Sequence, residues 1–496
     1  MPGYSILVNN HAAFYQALVS HDARFDGVFY VGVTSTRIYC RPICTAKTPR
    51  AKNCRFFPSA EAAEKESFRP CLRCRPELAP GNAPVDDAKR IAGLIVQRLE
   101  EGMLGDEPGL EAIADQFELS SRQIRRIVQQ ELGVSPIELL STRRLLLAKQ
   151  LLTETHLPII EVAFASGFAS LRRFNDAFLG RYGMPPTRFR KAAIEPKKAP
   201  SAESLSLQLS YRPPFDWPGI LKFLGDRELK GVESVKDGQY FRTVRLGPAK
   251  GWIRVHKPLE KRLLTVELSP SLTPALPTLL NRLRDLFDLS ARPDLIAEQL
   301  KKDRLLAKLV AKNPGLRVPG AFDGFELAVR AILGQQITVK AARTLAGRFV
   351  EAFGEAIETP HPDLTRLGPT SARIAAAKPE QLVALGILRS RAQSIVSLAK
   401  EIVSGRLKLE AGAPPEATIE LLAAVPGIGR WTAHYIAMRA LRWPDAFPKE
   451  DIGLRKNLGG VSGAEADRLS QAWRPWRSYA VLHLWQGDSA KPAAAK

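Results

Sequence analysis

The sequence predicts a multidomain protein, mainly α with α+β parts. A small cysteine-bearing α/β domain comes first, then a double helix-turn-helix domain, then a small antiparallel sheet joined to a large helical body. Three observations predict this. At 496 residues the chain is long for one hydrophobic core, and three domains is the natural expectation. All five cysteines fall within the first 74 residues, so any thiol or metal chemistry belongs to the N-terminal end. Two polar stretches without apolar periodicity, residues 79–86 (APGNAPVD) and 191–204 (KAAIEPKKAPSAES), read as exposed connections. They divide the chain into residues 1–80, 85–192 and 204–490. The last splits into a β-containing subdomain, 204–290, and a helical body, 291–490.

Charge narrows the partners. Lys and Arg total 72 against 51 Asp and Glu, a formal net charge of +21. Such an excess favours a polyanion, nucleic acid first. No run of about 18 apolar residues exists to span a membrane. The N-terminus, MPGYSILVNNHAAFYQ, lacks the basic and apolar regions of an export signal. An odd cysteine count with four at metal spacing argues for a reducing compartment, so a cytoplasmic protein is expected.

The cysteines are spaced Cys40-x3-Cys44 and Cys71-x2-Cys74, with Cys54 between the pairs. This suits one tetrahedral Zn2+ held by four thiolates. Such a site is a structural staple. It also carries a formal charge of −2 on deprotonated sulfurs, and such a sulfur can attack an electrophilic methyl group. The stretches VFYVGVTSTRIYCRPIC and NCRFFPSAEAAEKESFRPCLRCRPELA resemble the Ada-type zinc domain. The resemblance implies a small zinc α/β domain with ligands Cys40, Cys44, Cys71 and Cys74, in which Cys40 irreversibly takes a methyl group from a DNA methylphosphotriester. Cys54 is at no ligand position and reads as a buried or incidental thiol. Methylation would change the site from −2 to −1, relieving about 1–3 kcal/mol of repulsion from a nearby phosphate and raising DNA affinity. A PCHR active site, which the family's second methyltransferase domain carries, is absent, so no O6-methylguanine repair is expected.

The middle block holds a weak repeat. Leu110–Val128 and Ile159–Phe178 each read as helix, break, helix, with Thr142–Thr153 as a connecting helix. Ala163 lets the helices approach and Gly167 accepts the turn. In the first copy Ala114 matches Ala163, but Glu118 stands in the Gly167 position. The candidate recognition helices are Ser121–Gln130, with Arg122, Gln123, Arg125 and Arg126, and Ser170–Leu179, with Arg172, Arg173 and Asn175. Arg suits guanine edges or phosphates; Gln and Asn suit adenine. The stretch IIEVAFASGFASLRRFNDAFLGRYGMPPTRFR (159–190) resembles the AraC-type double helix-turn-helix. That implies a transcription activator binding a promoter operator, with RNA polymerase as a further partner.

In the last region Tyr240–Arg245, Gly251–His256 and Leu263–Leu268 read as antiparallel strands, and helical periodicity dominates from Pro274 on. VPGIG, Val425–Gly429, lies between two helical stretches; a hairpin at Gly427 and Gly429 can offer backbone N–H groups to a phosphate. Asp451 follows, and at a helix start an Asp can also be a plain N-cap. PGIGRWTAHYIAMRA, Asp451, AWRPWRSYAVLHLW and the upstream LRVPGAFDGFELAVRAILGQQITVKAA together resemble the helix-hairpin-helix glycosylases, most closely those of the AlkA type, from about Leu207 to Trp485. The resemblance implies a helix-hairpin-helix glycosylase body that excises alkylated purines such as 3-methyladenine from double-stranded DNA. Asp451 would be the catalytic carboxylate, Trp431, Tyr435 and Trp485 the base pocket, and Gln335 and Gln336 the segment entering the duplex. The chemistry suits these residue types: electron-rich rings attract a cationic base, and an ionised carboxylate stabilises the sugar cation as the glycosidic bond breaks. Gln336 replaces an apolar wedge and His434 an Asn, which bears on base preference. Strand-cleaving relatives carry Lys where Trp431 stands, so a monofunctional hydrolase is expected. No cysteine follows Cys74, so no iron–sulfur cluster is expected. The competing reading is a regulator that recognises lesions without excising them.

Overall fold

The computed structural model describes residues 11–22, 25, 29–57, 62–63, 66–71, 73–74, 95, 98–99, 110–116, 119–132, 134–192, 204–258, 263–411 and 413–488. The connection at 79–86, most of that at 191–204, and Glu118 lie outside these residues. The chain forms two compact units, Met1–Leu99 with Glu107–Leu140, and Glu100–Asp106 with Ser141–Lys496. Their border therefore passes through the helix-turn-helix block.

In the first unit, α1 (His11–Val19) precedes a four-stranded sheet of β1 (Tyr30–Val33), β2 (Ile38–Cys40), β3 (Cys54–Phe57) and β4 (Arg69–Pro70), in the order β3-β1-β2-β4. β1 pairs antiparallel with β2 and β3, while β2 pairs parallel with β4. A Cβ on Gly32 of β1 would lie 2.7 Å from the Phe57 ring and 2.8 Å from the Phe68 ring. Glycine is what lets those rings pack onto the strand. The sheet also gathers cysteines. Cys40 ends β2, and the β2–β4 pairing continues as the Cys71 N–H donates to the Tyr39 carbonyl at 2.9 Å. Residues far apart in sequence thus become neighbours.

The first helix-turn-helix comprises α2 (Leu110–Gln116) and α3 (Ser121–Leu132). Helix α4 (Pro136–Glu154) follows, starting earlier than the expected Thr142. Its start is fixed by Pro136 in the first turn and by a reciprocal cap: the Ser135 N–H donates to Glu138 Oε2 at 2.8 Å and the Glu138 N–H to Ser135 Oγ at 3.3 Å. The second helix-turn-helix comprises α5 (Ile159–Ala165) and α6 (Leu171–Tyr182). Gly167 takes φ +83° at its turn, as the sequence required. The repeat is real at the level of packing. α3 buries Ile124 and Val128, and α6 buries Phe174 and Phe178, each pair one turn apart. Between them α3 exposes Arg122, Arg125 and Arg126, and α6 exposes Arg172, Arg173 and Asn175. Gln123 also caps its own helix: its Oε1 accepts from the Ser120 N–H at 2.8 Å and its N–H donates to Ser120 Oγ at 3.2 Å, a capping box.

The second unit opens on a five-stranded antiparallel sheet: β5 (Leu205–Ser210), β6 (Glu233–Lys236), β7 (Gln239–Leu246), β8 (Ala249–His256) and β9 (Leu263–Leu268), in the order β5-β9-β8-β7-β6. The three expected strands are its centre, and the two additional ones are its edges. Exposed edges invite unwanted pairing. At β5 the edge backbone of Gln208 is covered by α4: its N–H donates to Glu154 Oε2 at 2.9 Å and its carbonyl accepts from Gln150 Nε2 at 2.9 Å. Leu145, Leu151 and Leu152 of α4, Phe174 and Phe178 of α6, and Leu207, Leu264 and Val266 of the sheet belong to one apolar cluster. The second helix-turn-helix and the sheet are therefore packed as one body.

α7 (Trp217–Gly225) links β5 to β6. Beyond the sheet lie α8 (Leu276–Leu286), α9 (Gly324–Leu333), α10 (Val339–Phe353), α11 (Arg389–Val403), α12 (Pro415–Ala424), α13 (Arg430–Arg439), α14 (Ile452–Asn457) and α15 (Arg477–Asp488), among other helices. α9 is buried on most sides and packs on α11 and α13. A charge network ties sheet to helices. Glu233 accepts from Tyr240 Oη at 2.7 Å, Arg242 at 3.2 Å and Arg330 at 2.6 Å, and Arg242 also pairs with Glu326. Burial opposes a charge on Glu233, yet the guanidiniums of Arg330 and Arg242 hold its carboxyl below the usual range. No helix among the described residues is long and apolar enough to cross a membrane.

Candidate active site and metal centre

The Sγ atoms of Cys40, Cys44, Cys71 and Cys74 all lie within 4.8 Å of one another. A tetrahedral zinc with sulfur at about 2.3 Å needs sulfurs slightly less than 4 Å apart, so the set closes on such an ion with small adjustments. The Arg41 N–H donates to Cys74 Sγ at 3.4 Å, the kind of bond that stabilises a thiolate ligand. Sulfurs this close perturb one another strongly. Hydrogen bonds with Cys44 and then Cys74 drive the Cys40 thiol far above its ordinary range. Hydrogen bonds from Cys40 and then Cys74 pull Cys44 down to about 2. A central dication is what lets all four be thiolates together. Cys54 is buried, and burial pushes its thiol up to about 11, as fits an inert residue. The expected nucleophile is more shielded than its chemistry suggested. Cys40 is 8% exposed and Cys71 9%, against 4% for Cys44 and none for Cys74. The sulfurs turn inward on a shared centre, and among the four Cys40 and Cys71 keep the most access.

In the glycosylase-like region a single cavity of about 270 Å³ gathers Trp431, Tyr435, Asp451 and Trp485, with Gly334 and Ile337 at the loop after α9. Trp431 and Tyr435 stand one turn apart on α13, so their rings lie parallel within 6° at 5.4 Å between centroids. Tyr435 and Trp485 are 6.4 Å apart at 42°. Asp451 caps a helix and also lines the cavity. It is the N-cap of α14, with Oδ1 accepting the Leu454 N–H at 2.7 Å. Its Oδ2 also accepts Trp431 Nε1 at 2.8 Å, and Oδ1 accepts Trp485 Nε1 at 3.0 Å. Two indoles therefore aim the carboxylate while their faces line the cavity.

The hairpin Val425–Gly429 joins α12 to α13. Val425 and Ile428 are buried, whereas Pro426, Gly427 and Gly429 are exposed. Gly427 takes φ +85°, and a Cβ there would meet Ser394 Oγ at 2.2 Å. Ser394 Oγ holds the turn by donating to the Pro426 carbonyl at 2.6 Å.

The two glutamines part company. Gln335 Nε2 donates to the Gly427 carbonyl at 3.0 Å and to Thr432 Oγ1 at 3.1 Å, fastening the loop to the hairpin. Gln336 is exposed and left-handed at φ +53°. Of the pair expected to enter DNA, only Gln336 stands free at the surface. His434, which stands where the related glycosylases have Asn, is set apart from the cavity. It lies by Trp443, with ring centroids 6.5 Å apart, and does not line the cavity.

Three contributors were missed: Arg227 and Glu228, just after α7, and Arg343 of α10 all line the cavity. In the sequence DRELK reads as a solvated turn, and nothing links it to a site two hundred residues away. Arg439 was missed too. It is buried, donates from Nε to the Pro319 carbonyl and from Nη2 to the Gly320 carbonyl at 2.9 Å each, and from Nη1 to Tyr435 Oη at 2.8 Å. Burial alone would raise the Tyr435 hydroxyl, but Arg439, Arg227 and Arg330 together pull it below its ordinary range.

Two histidines, His434 half-buried and His483 buried, give this region a pH dependence. His434 and His483 are pushed down from 6.5 to about 4, by burial first. Between those values the unfolded chain binds protons that the folded chain refuses. Stability is therefore full above about pH 6.5 and falls as pH drops through the window, by about 3 kcal/mol per histidine. Denaturant midpoints at pH 7.5 and 4.5 check this, and His483→Gln should flatten the difference. Equal midpoints for the unaltered protein would refute it.

Four family models match the chain: the metal-binding domain of Ada at residues 13–77, a helix-turn-helix domain at 113–192, the AlkA N-terminal domain at 206–323, and the HhH-GPD superfamily of base excision DNA repair proteins at 329–476. The chain is 39% identical to a protein of Mycobacterium tuberculosis described as a "probable bifunctional transcriptional activator/DNA repair enzyme AlkA", over 95% of each chain. It is 36% identical to DNA-3-methyladenine glycosylase 2 of Escherichia coli, over 58% of this chain and 99% of that one. It is 31% identical to the bifunctional transcriptional activator/DNA repair enzyme AdaA of Bacillus subtilis, over 36% of this chain and 81% of that one. An Ada-type zinc domain, a DNA-binding helix-turn-helix domain and an AlkA-type glycosylase domain follow one another in a single polypeptide, and the chain belongs to the bifunctional Ada/AlkA-type transcriptional activators and DNA repair enzymes.

Proposed function

We propose that this protein senses and repairs alkylated DNA, and that its C-terminal region is a monofunctional glycosylase releasing alkylated purines such as 3-methyladenine. The observation that carries this reading is Asp451, a carboxylate bracketed by the indole N–H groups of Trp431 and Trp485 at a cavity with room for one base. A purine made cationic by alkylation rests against the ring faces. Its bond to C1′ breaks, and the electron pair leaves with the base, which becomes neutral. The developing sugar cation is stabilised by Asp451, and water adds at C1′ and loses its proton to solvent. Trp431 offers no amine for a Schiff base, so hydrolysis leaves an abasic site with the strand intact. Gln336 fills the space left by the extruded nucleotide, and the 425–429 hairpin holds the backbone through its peptide N–H groups.

In the N-terminal domain Cys40, Cys44, Cys71 and Cys74 would hold one Zn2+, which lowers thiol pKa values and staples the fold. Cys40 Sγ attacks the methyl carbon of a methylphosphotriester: an S–C bond forms, a C–O bond breaks, and a phosphodiester is left. The lost negative charge strengthens DNA binding, and the arginines of α3 and α6 read an operator from which RNA polymerase is recruited. The assay is release of free bases from methylated DNA alongside radiolabelled methyl transfer to protein. The expected result is free 3-methyladenine, uncut abasic strands and label on Cys40. Labelled protein without released base would leave a lesion-recognising regulator in place of the repair enzyme.

A further inference from the structure

We propose that the Glu228–Arg343 pair is the edge-reading wall of the base cavity, and that Glu228 sets its preference for positively charged purines. This rests on the glycosylase reading above and names residues from outside its motifs. Both side chains line the cavity that holds Asp451, Trp431, Tyr435 and Trp485. They are ion-paired through Glu228 Oε1 and Arg343 Nη2. Glu228 Oε2 is held by the Val235 N–H at 3.2 Å. With side chains 28% and 40% exposed, both keep capacity for a ligand, unlike Glu233 at 2%.

The backbone beneath Glu228 is pinned. The Arg227 carbonyl accepts from the Arg330 guanidinium, and the Gly231 carbonyl accepts the Thr365 and Arg366 N–H groups at 2.9 Å each. The wall is thus pre-organised by the small sheet subdomain and set against the helical body.

The cavity's electrostatics call for such a group. Ring faces attract a cation but read no base edge. Arg227, Arg330 and Arg439 also line the cavity and oppose a cationic base. Arg330 is balanced by Glu233 and Glu326, while Arg439 is bonded to two carbonyls and a phenol. Asp451 is already engaged by two indoles and the Leu454 N–H. Glu228 is the other acidic residue among those lining the cavity. Each of its oxygens has a further lone pair, matching the exocyclic amino group of an alkylated purine, whose N–H bonds are polarised by the positive charge. Arg343 complements it as a donor to a ring nitrogen or carbonyl.

The test is single-turnover base release by full-length protein from DNA carrying either cationic 3-methyladenine or neutral hypoxanthine. Glu228→Gln keeps the shape and removes the charge; the cationic-to-neutral rate ratio should fall about tenfold. Arg343→Met removes the cation masking Glu228, so the same ratio should rise, an outcome no loss of stability produces. Thermal melting confirms that both variants fold. An unchanged ratio in both variants, or equal losses on both substrates, overturns the proposal. A wild-type protein that releases neither base sinks the parent glycosylase reading, and this inference with it.

Discussion

Asp451→Asn is expected to lower base release from methylated DNA by about 10²–10⁴-fold while leaving the fold intact. The substitution removes the charge and keeps the shape. As an N-cap, Asn serves nearly as well as Asp, so the start of α14 and its bond to the Leu454 N–H survive. The two indoles respond differently. They donate to both carboxylate oxygens, so an amide must turn its NH2 toward one of them. That costs local alignment, while the lost charge removes what stabilises the sugar cation. A rate within tenfold of wild type would mean that Asp451 is a cap and nothing more, and a stability loss above about 1 kcal/mol would mean that a slowed rate reports the fold as well. Melting temperature and single-turnover rate, measured together, separate these outcomes.

Stripping the metal is expected to unfold the N-terminal domain and abolish methyl transfer while base release continues. Structural zinc supplies about 10–16 kcal/mol of apparent binding free energy in small domains, more than such a domain otherwise holds. Here the four sulfurs are the meeting point of β2, the turn after it and the segment beyond β4, and the cysteines form their own small cluster with Leu18 and Val31. Without the ion Cys40 and Cys74 keep protons beside an ionised Cys44, so four thiolates cannot form and the cluster loses its centre. The glycosylase region has a separate core extending from Leu229 to Leu484, which owes nothing to those cysteines. Chelation followed by circular dichroism, methyl labelling and base release checks all three parts. Simultaneous loss of base release would show that the two activities share one folding unit.

Much of the candidate site was legible because its chemistry lies in short motifs. Four cysteines at zinc spacing, a Gly-rich hairpin and aromatic residues one turn apart state their neighbours within a few positions. Roles that depend on distant partners were not legible. The glycosylase resemblance put Gln335 beside Gln336 in the segment entering DNA, while in the fold its amide donates to Gly427 and Thr432, far along the chain. Gln123 looked like a base reader because it lies among arginines, yet a serine three residues earlier claims it as a cap. His434 lies one residue before the cavity-lining Tyr435 and still turns toward Trp443. Of the outer strands, β6 reads ESVK, too short and polar for alternation to mark it, whereas β5 reads LSLQLS and alternates throughout, a signal the three central runs overshadowed.

The sequence by itself determined the order of domains, the ligand set, the repeat in the middle block and the residue types of the aromatic cavity. These depend on spacing and side-chain chemistry, which a chain carries before it folds. Tertiary structure alone decided which oxygen of Asp451 meets which indole, how shielded Cys40 becomes, and that Glu228 and Arg343 close the cavity from another subdomain. Those outcomes depend on contacts between residues far apart in the chain, and only packing fixes the distances between them.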